Sequence, residues 1–91
     1  MEQILIEHNP SEAKLEVMGV YYWTVWKKEV SVFSWTYEQQ ETCYILDGEV
    51  TVTPEGGEPV DIVEGDLVTF PKGMSCSWDI KQDIKKYYKF E

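Results

Sequence analysis

Within the stretch FSWTYEQQETCYILDG, Phe33 to Gly48, the carboxylate of Glu41, the phenol of Tyr37, the rings of Phe33 and Trp35 and the thiol of Cys43 fall close together. Glu41 is the strongest single residue. It can act as a general acid/base or anchor the amine of a ligand, and it can equally be a buried carboxylate that holds the interior together through a cationic or hydroxyl partner. Two side chains outside this stretch join it as candidates. Cys76, in MSCSWDI, is either a ligand contact or a small apolar core residue, and Lys86, in IKKYYKF, is a cation set within an apolar row. The candidates for catalysis are thus Glu41, Cys76 and Tyr37. The candidates for ligand binding are Trp35, Tyr37, Glu41, Cys76, Trp78 and Lys86, the aromatic rings serving as flat walls for a small planar or cationic molecule.

The elements that must position these residues are mostly strands. Gln3 to Glu7 alternates weakly and suits a short first strand. NPSEAKLEVMG reads as the one helix, with Asn9 as cap, Pro10 at the first helical position, Glu12 at capping-box spacing and Gly19 as the stop. From there YYWTVWKKE, VSVFSWTY, ETCYIL, EVTVTP, VDIV, LVTF, SCSWDI and IKKYYKF carry aromatic and β-branched residues punctuated by Gly and Pro. Asp47-Gly48 has the backbone chemistry of a tight type I′ hairpin between ETCYIL and EVTVTP. Eight or so short strands predict an all-β, closed or nearly closed architecture. Strand alternation puts Phe33, Trp35 and Tyr37 on one face, Glu41 with Cys43 and Ile45, Cys76 with Trp78, and Lys86 with Ile84, Tyr88 and Phe90. Two opposite charges on otherwise apolar faces are tolerable if they are buried together.

Bulk properties narrow the function. The 91 residues, 1–91, suit a single domain, and 43% hydrophobic residues with four Trp, six Tyr and three Phe give it a core rich in large side chains. A net charge of −9, from 17 acidic and 8 basic residues, repels phosphate backbones and anionic lipid, so neither nucleic acid nor membrane is expected as a partner. No signal peptide or long apolar run is present, and two cysteines are too few for a disulfide scaffold, which predicts a reduced, cytoplasmic protein. Cys43 is read as core. No phosphate-binding glycine loop, Ser-His-Asp set or Cys-x-x-Cys pair occurs. The sole histidine, His8, is read as a surface or strand-end residue.

Two spacings carry a resemblance. Glu41 followed by six residues and Gly48 resembles the end of the first cupin motif. GDLVTFPKG, Gly65 to Gly73, resembles the opening of the second, and the longer strings look like a branch of small cupins similar to the cupin domains of ureidoglycine aminohydrolase and ethanolamine-utilisation protein Q. The resemblance implies a small jelly-roll (double-stranded β-helix) barrel with one short N-terminal helix, a pocket at one mouth, and frequent homodimers. Trp23 and Trp26, with Tyr21 and Tyr22, on an early strand, can be core on one side and a self-association surface on the other, which points the same way. Metal-dependent cupins use three histidines and a glutamate; their places fall at Trp35, Tyr37, Glu41 and Cys76, and a terminal asparagine at Ile80. Only the glutamate is kept.

The expectation is therefore that no cofactor or metal is resident. Iron and manganese want imidazoles and carboxylates, whereas Glu41 and Cys76, with Cys43 adding a thiolate, could hold zinc or another divalent ion only weakly. Three functions remain open: a metal-free cupin binding a small molecule around Glu41, an enzyme of ureide, amine or other small-metabolite chemistry using Glu41 as acid/base, and a non-catalytic interaction or structural module.

Overall fold

A computed structural model describes residues 3–91, and it is a small antiparallel jelly-roll barrel with one short helix. The chain runs through β1 (Leu5–His8), α1 (Glu12–Met18), a 3₁₀ turn (Val20–Tyr22), β2 (Thr24–Lys28), β3 (Ser31–Thr36), β4 (Glu41–Pro54), β5 (Val60–Val63), β6 (Asp66–Phe70) and β7 (Ser75–Phe90). The hydrogen-bonded order is β1-β6-β4-β7-β2, with β3 on β7 and β5 on β4. Two long strands, β4 and β7, pair with each other along most of their length. Each also serves two different short strands on its other edge. The first part of β4 pairs with β6 and the second with β5, while the first part of β7 pairs with β3 and the second with β2. That division rolls the sheet.

The roll begins at a place the sequence disguises. Asp47-Gly48 is no hairpin turn. β4 passes straight through it, and the register with β7 slips between Ile45 and Val50 instead. The burial pattern shows the consequence: Glu41, Cys43 and Ile45 point inward before the slip, Val50 and Val52 after it, so the inward face changes from odd to even positions. Gly48 has φ +101°, and a Cβ there would stand 2.3 Å from the carbonyl oxygen of Asp83. Only glycine fits such a close approach of two backbones. In the same way SCSWDI and IKKYYKF are one strand, β7, with the inward parity kept from Cys76 through Ile84 to Lys86.

Two smaller corrections concern the N-terminal region. The helix is capped by Ser11, whose Oγ accepts from the Lys14 amide at 3.1 Å, while Asn9 sits outside it at φ +48°. Gly19 does end the helix in the left-handed conformation. Val20–Tyr22 coil into the 3₁₀ turn, so the following strand starts only at Thr24.

The core is built from Ile45, Val50, Val52, Ile62, Val68, Phe70, Trp78, Ile80 and Ile84, all nearly inaccessible. Its aromatic part is contiguous. Tyr37 stacks on Phe70 at 4.6 Å, and Phe70, Phe33 and Trp26 each lie about 6 Å from Trp78. No helix among the described residues is long and apolar enough to cross a membrane.

Candidate functional site

Glu41 opens β4, hydrogen-bonded in the sheet between Phe70 of β6 and Phe90 of β7. Because its strand face is the inward one, its carboxylate enters the barrel. Lys86 arrives from β7 by the same parity, opposite Ile45 on one side and Trp26 on the other. The two charges meet: Lys86 Nζ donates to Glu41 Oε2 at 2.7 Å, with only 7% and 5% of the two side chains exposed. The ammonium also lies 4.8 Å from the ring centres of both Trp26 and Trp78 and 5.8 Å from that of Tyr88. Desolvated contacts of this kind are worth about 2 kcal/mol each, and they offset part of the cost of taking the ammonium out of water.

Around this pair opens a hollow of about 590 Å³, walled by Trp26, Phe33, Trp35, Tyr37, Trp78 and Tyr88. Trp35 and Phe90, roughly half exposed, form its rim. Tyr37 lies one residue past β3 and is fixed from the backbone: its amide donates to Met74 O at 2.9 Å, and its carbonyl accepts from Gly73 in the turn that follows β6. The turn PKG thereby sets one wall of the hollow.

The ionisable groups nearby are held neutral. Burial, then the charge of Glu41, pushes the Tyr37 phenol up, only partly opposed by the Trp78 indole. Burial raises the Cys43 thiol to about 12, against the pull of Lys86. Cys76 is raised by burial too, with the Trp78 indole and Lys86 working the other way. Tyr37, in the wall of the hollow, and Cys76, behind that wall, are accordingly present as proton donors rather than as anions. One donor is left over: Trp78 Nε1 is buried and has no hydrogen-bond partner among the described residues. Leaving such a group unpaired costs about 1–3 kcal/mol.

Of the six residues expected to bind ligand, five lie in or on this hollow as lining residues: Trp35, Tyr37, Glu41, Trp78 and Lys86. Cys76, 6% exposed, is cross-strand partner of Trp35 and sits behind the wall. Cys43 is wholly buried core, and both cysteines are free thiols. Trp26, Phe33, Tyr88 and Phe90 were missed as lining residues. Tyr88 and Phe90 share the parity of Lys86 and were within reach of the sequence; Trp26 requires knowing that β2 pairs with β7. His8 does end its strand, and it contacts Asp66 at 2.6 Å, a buried carboxylate that also accepts from the Val63 amide.

A resident divalent metal does not fit these residues. The places at which the cupin resemblance puts ligands hold a half-exposed indole, a neutral phenol, a carboxylate engaged by an ammonium, and a protonated thiol. Among the described residues no three His, Cys, Asp or Glu side chains converge as a ligand set. The weak zinc site expected of Glu41, Cys76 and Cys43 meets the same obstacles.

Comparison with known proteins agrees with this architecture. The chain is similar to a DUF861-family protein of Thermotoga maritima, with a TM-score of 0.95, 46% identity, and coverage of 98% of this chain and 100% of that one. It is similar over 70% of its length to the Salmonella typhimurium protein assigned as ethanolamine utilization protein Q, at 28% identity and a TM-score of 0.63. The EutQ protein of Clostridium difficile, at 23% identity and a TM-score of 0.63 over 70% of this chain, shares the fold. The chain spans about half the length of these two proteins, 51% and 50%. No functionally curated protein matches it. The model of the EutQ-like cupin domain matches residues 15–88, and the chain belongs to that family.

Proposed function

We propose that this protein binds a small polar molecule in the barrel mouth, on a floor made by Glu41 and Lys86 and without a histidine-held metal. The observation that supports the reading is the buried ion pair at the base of an aromatic-walled hollow of about 590 Å³. An ion pair is a poor device for stability alone, because well-packed apolar residues do as well or better. Placed in a hollow large enough for a metabolite, it supplies both signs of charge to a ligand. Calorimetric screening of small metabolites against the wild type and Glu41→Gln tests this. The expected result is a binder whose affinity drops at least tenfold in the variant; identical profiles for the two proteins remove Glu41 from the site.

A second reading is catalytic. Glu41 is hydrogen-bonded to the Lys86 ammonium, and the neutral Tyr37 and Cys76 lie near enough to feel its charge, a set of groups that suits acid/base chemistry on a ureide, amine or related small metabolite. Absence of turnover across such a panel, with and without added zinc, manganese or iron, counts against it. The third reading, a vestigial pocket in an interaction module, is disfavoured by the open volume. Self-association belongs to the proposal too: Tyr22 and Val17 are 93% and 88% exposed, and sedimentation velocity on the wild type and Tyr22→Ser tests a homodimer through that surface.

A further inference from the structure

An ionised carboxylate has room for about four hydrogen bonds. The Glu41 carboxylate accepts one, from Lys86 Nζ to Oε2 at 2.7 Å, and no donor among the described residues reaches Oε1. That oxygen is not sealed in. Trp78 Nε1 is the one side-chain polar atom among the described residues that is both unpaired and shut off from solvent, and Oε1 is not of that kind. Glu41 is only 4% exposed, and the opening beside it is the hollow that it lines. Lys86 is placed differently. Its ammonium has the Glu41 oxygen on one side and the rings of Trp26, Trp78 and Tyr88 around it, at 4.8, 4.8 and 5.8 Å. The atom of the floor with nothing against it is therefore an acceptor.

Resting on the ligand-binding reading above, we infer that the hollow takes a small molecule with a flat apolar body and an N–H or O–H donor, which bonds to Glu41 Oε1 while the body lies against Phe33, Trp35 and Tyr37. The donor is the shared chemistry: a neutral hydroxyl or amide and an ammonium all carry it, and the probes below separate neutral from charged. A bond to a charged acceptor in a site with little water is stronger than one between neutral groups. A ligand without a donor covers Oε1 and leaves it bare, at the full desolvation cost of that oxygen. The aromatic walls give the body its place. Lys86 is a positioning residue in this arrangement. By holding Oε2 it fixes the plane of the carboxylate, and so the place at which Oε1 meets the ligand.

The test titrates the intact ¹³C-labelled chain with benzyl alcohol, benzylamine and benzyl methyl ether, probes of similar shape that present an O–H, an ammonium and no donor. Two quantities are read: the shift of the Glu41 carboxyl carbon, and the affinity from the saturating shifts of signals around the hollow. At least one donor probe is expected to move the Glu41 signal and to bind at least about tenfold tighter than the ether. A response to the alcohol, with or without the amine, marks a neutral donor as sufficient; a response to the amine alone marks an ammonium ligand. In Glu41→Gln, Lys86 keeps the amide oxygen against itself and turns the NH₂ group to the Oε1 position, so the preference for donors over the ether is expected to disappear. If that variant does not fold by circular dichroism, the ratio of wild-type affinities decides. An ether that binds as tightly as both donors overturns the inference, as does a donor preference unchanged in folded Glu41→Gln. A Glu41 signal that none of the three moves at millimolar concentration overturns it too, yet the pocket reading falls only when the metabolite screen against wild type and Glu41→Gln finds no binder.

Discussion

Glu41 and Lys86 are each other's solvent. Removing one strands the other, so Glu41→Leu and Lys86→Met are each expected to lose about 3–5 kcal/mol in urea unfolding. The double variant Glu41→Leu/Lys86→Met is expected to recover most of that loss, because an apolar pair leaves no charge buried; losses that simply add would show that the two do not act as a unit. Their meeting was half legible in the sequence. Parity placed each on an apolar face, but only the pairing of β4 with β7 brings residues 41 and 86 together. The thiol of Cys43 makes a separate prediction. Its folded value, about 12, lies above its ordinary 9.0 because burial disfavours the thiolate. Such a group stabilises the fold fully below pH 9, and the contribution is lost as pH rises toward 12, by about 4 kcal/mol in all. Tyr37, pushed up by burial, acts in the same direction. Unfolding measured from pH 8 to 11 is expected to show declining stability, with a shallower decline in Cys43→Val; identical slopes would contradict the assignment.

Among the elements, β4 teaches most about what sequence can carry. Asp-Gly provides a positive φ, and that need is the same in a two-residue hairpin and in a bulge within a continuing strand. Local chemistry cannot separate the two. What separates them is β7, contributed by residues far later in the chain, which keeps bonding to β4 on both sides of the slip. Gly48→Ala is therefore expected to cost at least about 3 kcal/mol, since it adds left-handed strain of roughly 1–2 kcal/mol to a clash with the Asp83 carbonyl. Thermal unfolding checks it, and a loss under about 1 kcal/mol would mean that the strands are not so close. The helix cap was misplaced for a different reason: Asn9 and Ser11 are both good caps two residues apart. Asn9 is diverted because its amide donates to Gly65 O at 2.9 Å and ties β1 to the turn before β6. Ser11→Ala is expected to cost about 1 kcal/mol, read by the same unfolding curves. The Gly65-to-Gly73 motif, by contrast, was legible as spacing, and in the structure it frames β6 and the turn that pins Tyr37.

At the scale of the molecule, the site exists because two long strands bend together and bring the start of β4 and the end of β7 into one mouth. Nearly all the pairings are between residues distant in sequence, so folding is expected in milliseconds to seconds rather than microseconds, as stopped-flow refolding would show. The all-β class, the inward acid and the Trp35, Tyr37 and Trp78 walls were readable from alternation and turn residues, whereas Trp26 beside the ammonium was not, since only the pairing of β2 with β7 brings it there. The central claim is that this mouth, with its internal ion pair in place of a metal, is where a ligand sits. The most direct measurement is a protein-observed NMR screen of a metabolite library on the metal-free wild type. The account predicts binders whose perturbed signals gather on Trp26, Trp35, Tyr37, Trp78 and Lys86. Binders that instead map to the polar hollow of about 630 Å³ beside Lys27 and Asp83, or a library without a single binder, would contradict it.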